Sequence, residues 1–252
     1  MSIIRLGVVV SRNPASDLSV GFTVTADLRA PNLFERLGEA RLALEPVRLL
    51  VASPRLAGRR ATTPRTTVVI PGIGAGDRPL APLRHFLTRA GHRALPWECG
   101  RQGPDVAVTL ERFVPRVADV IERHEQPVAL VGWSLGGIVA RETARVLNRD
   151  RPGSVSRVVT FGTPVEGPRH TIARRYYSDE ELDRIDSFVA ERRGRSIGCD
   201  VVAIHSRNDG VVGWRPCLDH DTPGAVNVEV RSSHIGMGFD PDVWFAIADA
   251  LD

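Results

Sequence analysis

The chain has 252 residues, of which 42% are hydrophobic and 25% are charged. These values are typical of a globular protein, the length fits one α/β domain, and no apolar run approaches the roughly 20 residues that span a bilayer. The net charge of +3 is mild and acidic residues are interleaved with the basic ones, so the composition argues against a nucleic-acid partner. All 33 basic residues are arginine, which excludes Schiff-base and phosphate-loop chemistry by lysine.

The first 64 residues precede the regular part of the pattern. Their first ten residues contain one arginine and an interrupted apolar stretch without a small-residue cleavage site, so we expect a cytoplasmic protein with no stable membrane insertion. Between residues 31 and 51, apolar side chains recur near helical spacing at Leu33, Leu37, Leu44, Val47 and Val51. Residues 1–64 are therefore predicted to form an N-terminal helical extension packed on the core, with a dimer surface or a cover over a cleft as alternatives.

From about residue 65, short β-branched runs alternate with helix-length amphipathic segments. The predicted strands span residues 66–70, 92–97, 128–132, 155–161, 201–206 and 226–230. This alternation is typical of an α/β fold, with a mostly parallel sheet and helices on both faces. We expect residues 65–252 to form one domain, in which residues 163–198, rich in arginine and acidic residues, are a small helical cap insertion.

Two of the predicted helices have clear start signals. Pro104 and Asp105 precede a stretch whose apolar residues fall on one face: Val106, Leu110, Phe113, Val114, Val117, Val120 and Ile121. Asp240 and Pro241 open the last helix, because the carboxylate can cap it and the proline suits its first turn. That helix is predicted to turn Trp244, Ile247, Ala248 and Leu251 inward.

The turn Gly132-Trp133-Ser134-Leu135-Gly136 matches the pattern GxSxG. It follows an apolar strand and precedes a helical stretch, which is the context in which such a serine acts as a nucleophile. Side chains at residues 132 and 136 would crowd the neighbouring strand and helix, so glycine is required there. The N–H of Leu135, at the start of the helix, is placed to stabilise an oxyanion.

A serine hydroxyl is a weak nucleophile near neutral pH, so it needs a base, and the base needs an orienting carboxylate. Asp209 follows the strand that ends at residue 206, and His234 follows the strand that ends at residue 230. Both therefore lie at carboxyl ends of strands, in the chain order serine, acid, histidine. The alternative acids are Asp219 and Asp221, and the alternative histidines are His205 and His220.

A second oxyanion donor is expected in the loop after the first core strand, and the Ile73 N–H is our choice. Gly72 and Gly74 let the backbone approach substrate, and Trp133 is placed beside it by its position next to Ser134. The same glycines, with Gly76, also suggest a dinucleotide-binding loop, with Glu98 as the ribose ligand. The spacing is one residue short of that fingerprint, however.

Five motifs in residues 66–252 resemble those of the α/β-hydrolase superfamily, in particular its small bacterial esterase/lipase branch. They are Pro71-Gly72-Ile73-Gly74, Gly132-Trp133-Ser134-Leu135-Gly136-Gly137, Phe161-Gly162-Thr163-Pro164, Asn208-Asp209-Gly210-Val211-Val212 and Ser233-His234-Ile235-Gly236. The resemblance implies a triad of Ser134, Asp209 and His234, an oxyanion hole at Ile73 and Leu135, and a cap after Thr163. Pro71 stands where many relatives have histidine, and the first 64 residues have no counterpart.

The sequence thus predicts a serine hydrolase of the esterase/lipase type that forms an acyl-enzyme from a small-molecule ester or thioester, as a monomer or homodimer. An acyltransferase, a thioesterase or a lactone-forming enzyme with the same triad is the alternative, and a binding protein without catalysis is a further one. No cofactor or metal is expected. Of the three cysteines, Cys199 and Cys217 flank the strand and loop that present Asp209, so we also considered a disulfide that braces the acid.

Overall fold

A computed structural model describes residues 45–169 and 171–252. In this part of the chain, six parallel strands form one sheet in the order β2-β1-β3-β4-β5-β6. The strands are β1 (Thr66–Ile70), β2 (Arg93–Leu95), β3 (Val128–Trp133), β4 (Val155–Phe161), β5 (Asp200–Ser206) and β6 (Val226–Val230). The predicted parallel sheet is confirmed, although β2 is shorter at both ends than the predicted strand.

The described residues form six α-helices: α1 (Glu45–Gly58), α2 (Ala81–Ala90), α3 (Val106–His124), α4 (Leu135–Asp150), α5 (Asp179–Arg192) and α6 (Pro241–Leu251). Both predicted caps are present. The Asp105 carboxylate accepts the Val108 N–H at 3.1 Å, and the Asp240 carboxylate accepts the Asp242 N–H at 2.8 Å. Among these helices, none is long and apolar enough to cross a membrane.

The sheet separates two hydrophobic clusters, because successive strand residues point to opposite faces. In β1, Val69 packs with α2 and α6, whereas Val68 and Ile70 pack with α3 and α4. All five β1 residues are buried, as expected for a strand covered on both faces. The helices predicted to lie on both faces are therefore confirmed, and the buried α6 residues include Trp244, Ile247, Ala248 and Leu251.

Helix α1 corrects the prediction for the N-terminal apolar face. Val47 and Val51 are 59% and 76% exposed, and the side chains that pack into the core are those of Leu49, Ala52 and Leu56. Apolar residues occur on two sides of α1, so contacts with α2 and α6 decide which side is buried. The rest of that prediction, including Leu33, Leu37 and Leu44, lies outside the described residues.

Helix α5 lies between β4 and β5, in the segment predicted to form an insertion. It begins with a capping box, in which the Ser178 hydroxyl accepts the Glu181 N–H and the Glu181 carboxylate accepts the Ser178 N–H. Leu182 is buried under the helix. Arg192, in its last turn, binds Glu142 of α4 at 2.8 Å, which ties α5 to the helix that follows Ser134.

Candidate active site

Ser134 lies in the sharp turn between β3 and α4. Its φ and ψ angles are +53° and −124°, a sparsely populated positive-φ conformation that costs a non-glycine residue about 1–3 kcal/mol and is concentrated at functional sites. Two backbone hydrogen bonds hold the turn: the Ser134 N–H donates to Phe161 O at 2.9 Å, and the Gly137 N–H donates to Ser134 O at 3.0 Å. The turn presents the hydroxyl at the carboxyl end of β3.

The glycines of this turn leave no room for a side chain. A Cβ on Gly132 would overlap the backbone of Gly136 and Gly137, and a Cβ on Gly136 would overlap the carbonyl oxygens of Ile70 and Pro71. The crowding predicted from the motif is therefore present at both positions. It allows α4 to start directly against β1 and β3, which brings the loop after β1 close to Ser134.

His234 lies between Ser134 and Asp209. Its Nε2 is 3.2 Å from Ser134 Oγ, and its Nδ1 is 2.7 Å from Asp209 Oδ2. The three residues follow β3, β5 and β6, whose carboxyl ends meet at one edge because the strands are parallel. The structure thus brings together the three side chains that the sequence predicts as a triad.

The Asp209 carboxylate is completely buried, and both of its oxygens have hydrogen-bond partners. Its Oδ1 accepts backbone N–H groups from Val211 at 3.0 Å, Val212 at 2.7 Å and Gly213 at 3.2 Å. These donors offset the cost of burying the carboxylate, and they fix the orientation in which Oδ2 faces the imidazole.

Cys217 lies close to this acid but forms no disulfide. Cys199 and Cys217 are both free thiols, so the bridge considered from the sequence is not formed. Burial, together with the negative charge of Asp209, raises the pKa of the Cys217 thiol well above its ordinary value. The thiol therefore stays protonated, and it donates a hydrogen bond to Gly213 O at 3.2 Å.

The alternative acids are paired with arginines. Asp219 forms a buried ion pair with Arg141, and Asp221 lies 3.2 Å from Arg193. His205 is buried in β5, where desolvation lowers its pKa, and His220 is exposed. Of the alternatives open at the sequence level, the geometry favours Asp209 and His234.

The two proposed oxyanion donors come from the start of α4 and from the loop after β1. Leu135 is the first residue of α4, so its N–H is one of the four that a helix leaves without an internal partner. Ile73 follows Gly72, at which a Cβ would lie 3.2 Å from Ser134 Cβ. Gly74, with a φ angle of +73°, donates its N–H to Gln102 O at 2.7 Å, which ties the loop to the segment after β2.

Comparison with known proteins identifies the fold. Residues 100–192, which include Ser134, match the family model described as PGAP1-like alpha/beta domain. A lipase-esterase related protein from Clostridium acetobutylicum superposes with a TM-score of 0.55 at 12% identity, covering 77% of this chain and 95% of its own. A lipase from Bacillus licheniformis gives a TM-score of 0.56 at 14% identity, with coverages of 77% and 96%. The chain has the α/β-hydrolase fold.

A further α/β-hydrolase structure, polyneuridine aldehyde esterase, gives a TM-score of 0.53 at 14% identity and covers 75% of this chain and 100% of its own. At these identities the similarity concerns the fold and carries no information on substrate. No curated protein matches the sequence.

Trp133 and Ser206 contact the site of this α/β-hydrolase fold in ways that no motif indicates. The Trp133 indole N–H donates to the backbone carbonyl of His234 at 3.2 Å, and the two rings lie 5.9 Å apart. The Ser206 hydroxyl donates to Ser232 O at 2.6 Å and accepts the N–H of Asn208 at 3.1 Å, so it joins the loops of the acid and the histidine. Sequence reasoning missed both roles because they depend on pairs distant in the chain.

The dinucleotide alternative is less compatible with this α/β-hydrolase geometry. Glu98, its proposed ribose ligand, forms an ion pair with Arg116 at 2.7 Å. Gly72 faces Ser134 and Trp133, so the glycine-rich loop contributes to the same site as the nucleophile.

Proposed function

We propose that this protein is a serine hydrolase that cleaves a carboxylic ester, with Ser134 as nucleophile, His234 as base and Asp209 as the orienting carboxylate. One observation carries the proposal: hydrogen-bond distances of 3.2 Å and 2.7 Å link Ser134 Oγ to His234 Nε2 and His234 Nδ1 to Asp209 Oδ2. Because the carboxylate holds the proton on Nδ1, the lone pair of Nε2 is directed at the hydroxyl.

In the acylation step, Ser134 Oγ attacks the ester carbonyl carbon while His234 Nε2 accepts the hydroxyl proton. The carbonyl oxygen becomes an oxyanion, which the backbone N–H groups of Ile73 and Leu135 stabilise. The C–O bond to the alcohol then breaks, and His234 returns its proton to the leaving oxygen. The products of this step are the free alcohol and an acyl group on Ser134.

In the deacylation step, water replaces the alcohol, loses a proton to His234 and attacks the acyl carbon. The oxyanion forms and collapses again, Ser134 recovers its proton, and the carboxylic acid leaves. If another alcohol, amine or thiol reaches the acyl-enzyme before water, the same residues catalyse acyl transfer. Product analysis with butanol or hydroxylamine present distinguishes these outcomes.

The substrate is proposed to lie against Trp133 and the backbone of Gly72 and Gly74. In this proposal residues 65–252 are the catalytic domain, and residues 163–198 form a cap that limits the size of the acyl group. Two ion pairs support a defined position of this cap, because they link the C-terminal end of α5 to residues outside it. Arg192 binds Glu142 of α4, and Arg193 binds Asp221 at 3.2 Å.

Labelling with a fluorophosphonate probe tests the nucleophile. We expect the wild-type protein to be labelled on the peptide that contains Ser134, Ser134→Ala to remain unlabelled, and His234→Ala to react far more slowly. His220→Ala is the matched control, because His220 is exposed and lies outside the site. Equal labelling of wild type and Ser134→Ala would contradict the assignment.

A series of nitrophenyl esters from acetyl to palmitoyl tests the substrate class. Fast turnover of short acyl chains would indicate an esterase, and a preference for long chains would indicate a lipase. Ser134→Ala corrects for spontaneous hydrolysis. The absence of Ser134-dependent turnover across the whole ester series would overturn the proposed ester hydrolysis.

A further inference from the structure

Glu45, in the first turn of α1, is a buried carboxylate outside the proposed triad. Only 1% of its surface is exposed. A buried carboxylate costs several kcal/mol unless hydrogen-bond donors replace water around it. The donors come from the two residues before His234: Ser233 donates its N–H to Oε1 at 2.8 Å and its hydroxyl at 3.0 Å, and the Ser232 hydroxyl lies 3.2 Å from the same oxygen.

The carboxylate also contacts the residues that follow the histidine. A Cβ on Gly236 would overlap the Glu45 carboxylate, so Glu45 fills the space that a side chain there would need. The Ser233 hydroxyl accepts the Gly236 N–H at 3.0 Å, and Ser233 O accepts the Met237 N–H at 3.1 Å. Glu45 therefore contacts the backbone on both sides of His234: it accepts the Ser233 N–H and lies against Gly236.

These contacts differ in kind from those of Asp209. Both imidazole nitrogens already face Asp209 and Ser134, and the donors to Glu45 are neutral groups of the backbone and of serines. Glu45 therefore acts on the loop of His234 and not on the imidazole itself. On its other side the loop is held by Ser206, which accepts the Ser232 N–H at 3.1 Å.

We propose that Glu45 is a positioning residue: α1, which precedes the first strand, inserts its carboxylate under the histidine loop and holds the imidazole at reacting distance from Ser134. This inference rests on the proposed function of Ser134. It gives the N-terminal segment a part in the reaction in addition to its packing. Because a displacement of about 1 Å can cost about 100-fold in rate, the loss of this support should lower kcat.

Three substitutions of Glu45 distinguish the effect of its side-chain length from the effect of its charge. Glu45→Gln keeps the length of the side chain, an acceptor for the Ser233 N–H, and an amide that can donate to the Ser233 hydroxyl. Glu45→Asp keeps the charge but is one methylene shorter, and Glu45→Ala removes both. We expect kcat to stay near wild type in Glu45→Gln, to fall in Glu45→Asp, and to fall about 10- to 100-fold in Glu45→Ala, with KM little changed.

The experiment measures kcat per active site, with active sites counted by titration with the fluorophosphonate probe. A purely structural role of Glu45 would reduce the number of active sites and the melting temperature but leave kcat per site unchanged. Arg59→Ala is the control for weaker docking of α1, because Arg59 follows that helix and binds Asp249 at 2.8 Å and Asp252 at 2.6 Å. We expect Arg59→Ala to lower the melting temperature and to keep kcat per site.

Equal kcat per site in wild type and all three Glu45 variants would overturn the positioning role while leaving the serine mechanism intact. If Glu45→Ala does not fold, the comparison between Glu45→Gln and Glu45→Asp decides. A higher kcat per site in Glu45→Gln than in Glu45→Asp supports the inference, and equal kcat per site in these two variants overturns it. A wild-type protein that is neither labelled at Ser134 nor active on esters overturns the proposed function, and this inference with it.

Discussion

The indole N–H of Trp133 donates a hydrogen bond to the backbone carbonyl of His234, its partner 101 residues further along the chain, at 3.2 Å. The residue before the proposed nucleophile thus supports the loop of the proposed base. Its ring also stacks on Phe161 of β4, with centroids 6.5 Å apart.

Trp133→Phe should remove this hydrogen bond while an aromatic ring remains beside His234. A neutral hydrogen bond contributes about 0.5–1.5 kcal/mol to stability, so we expect the free energy of unfolding to fall by about that amount. We also expect kcat to fall, by less than the roughly 100-fold that a displacement of about 1 Å can cost, because the loop of His234 loses one support. The measurement is kcat and KM on a nitrophenyl ester. An unchanged kcat together with a higher KM would indicate that Trp133 only binds substrate.

Asp209→Asn should lower kcat about 10³- to 10⁴-fold, because the amide cannot enforce the imidazole tautomer that leaves Nε2 free to accept a proton. Asp221→Asn is the matched control: Asp221 was an alternative acid in the sequence, and it pairs with Arg193 away from His234. Steady-state kinetics on both variants compare the two acids. A loss of activity confined to Asp221→Asn would show that the acid is misassigned.

Gly72→Ala should disturb the proposed oxyanion loop. Its Cβ would lie 3.2 Å from Ser134 Cβ and 3.5 Å from the Trp133 ring, so the loop must shift by a few tenths of an ångström. We expect kcat to fall about 10-fold, because the Ile73 N–H moves with the loop. Gly103→Ala, which meets nothing within 4 Å, is the control and should keep wild-type kinetics. Equal kcat in both variants would argue against a donor at Ile73.

Arg141→Met should destabilise the fold without touching the triad. Arg141 and Asp219 form an ion pair in which both side chains are less than 10% exposed, at 8% and 2%. Removing the arginine leaves a buried charge uncompensated, which costs about 3–5 kcal/mol in the free energy of unfolding. Arg149→Met, on the same helix, breaks an exposed pair with Asp150 and should have a far smaller effect in urea unfolding.

The Arg141 effect should also depend on pH. Burial raises the pKa of Asp219, but the charge of Arg141 and the hydrogen bonds from Arg141 and Thr222 outweigh it, so the pKa is lowered overall. The contribution of this carboxylate is therefore present above its unfolded pKa of about 3.9 and is lost as the pH falls through its folded pKa. The difference in unfolding free energy between wild type and Arg141→Met should thus be smaller at about pH 3 than at pH 7. A difference that grows on acidification would contradict this linkage.

The sequence by itself determined the parallel sheet, the positions of its strands along the chain and the turn at Ser134. These features depend on local signals: the alternation of strand and helix patterns, the caps at Asp105 and Asp240, and glycines where a side chain would overlap the backbone. The rule that parallel strands end at one edge then led from three separate loops to one cluster of Ser134, Asp209 and His234. Each of these steps needs only short stretches of sequence.

The sequence favoured Asp209 but left Asp219 and Asp221 as alternatives, and only the tertiary structure shows which of these loop carboxylates faces His234. The hydrogen bonds around each carboxylate separate them, and those partners are set by packing. The buried face of α1 and the contact of Glu45 with Ser233, 188 residues away, are also outside the reach of local patterns. A carboxylate at that distance leaves no periodicity or motif in the sequence, since its partners become neighbours only when α1 docks beside the histidine loop.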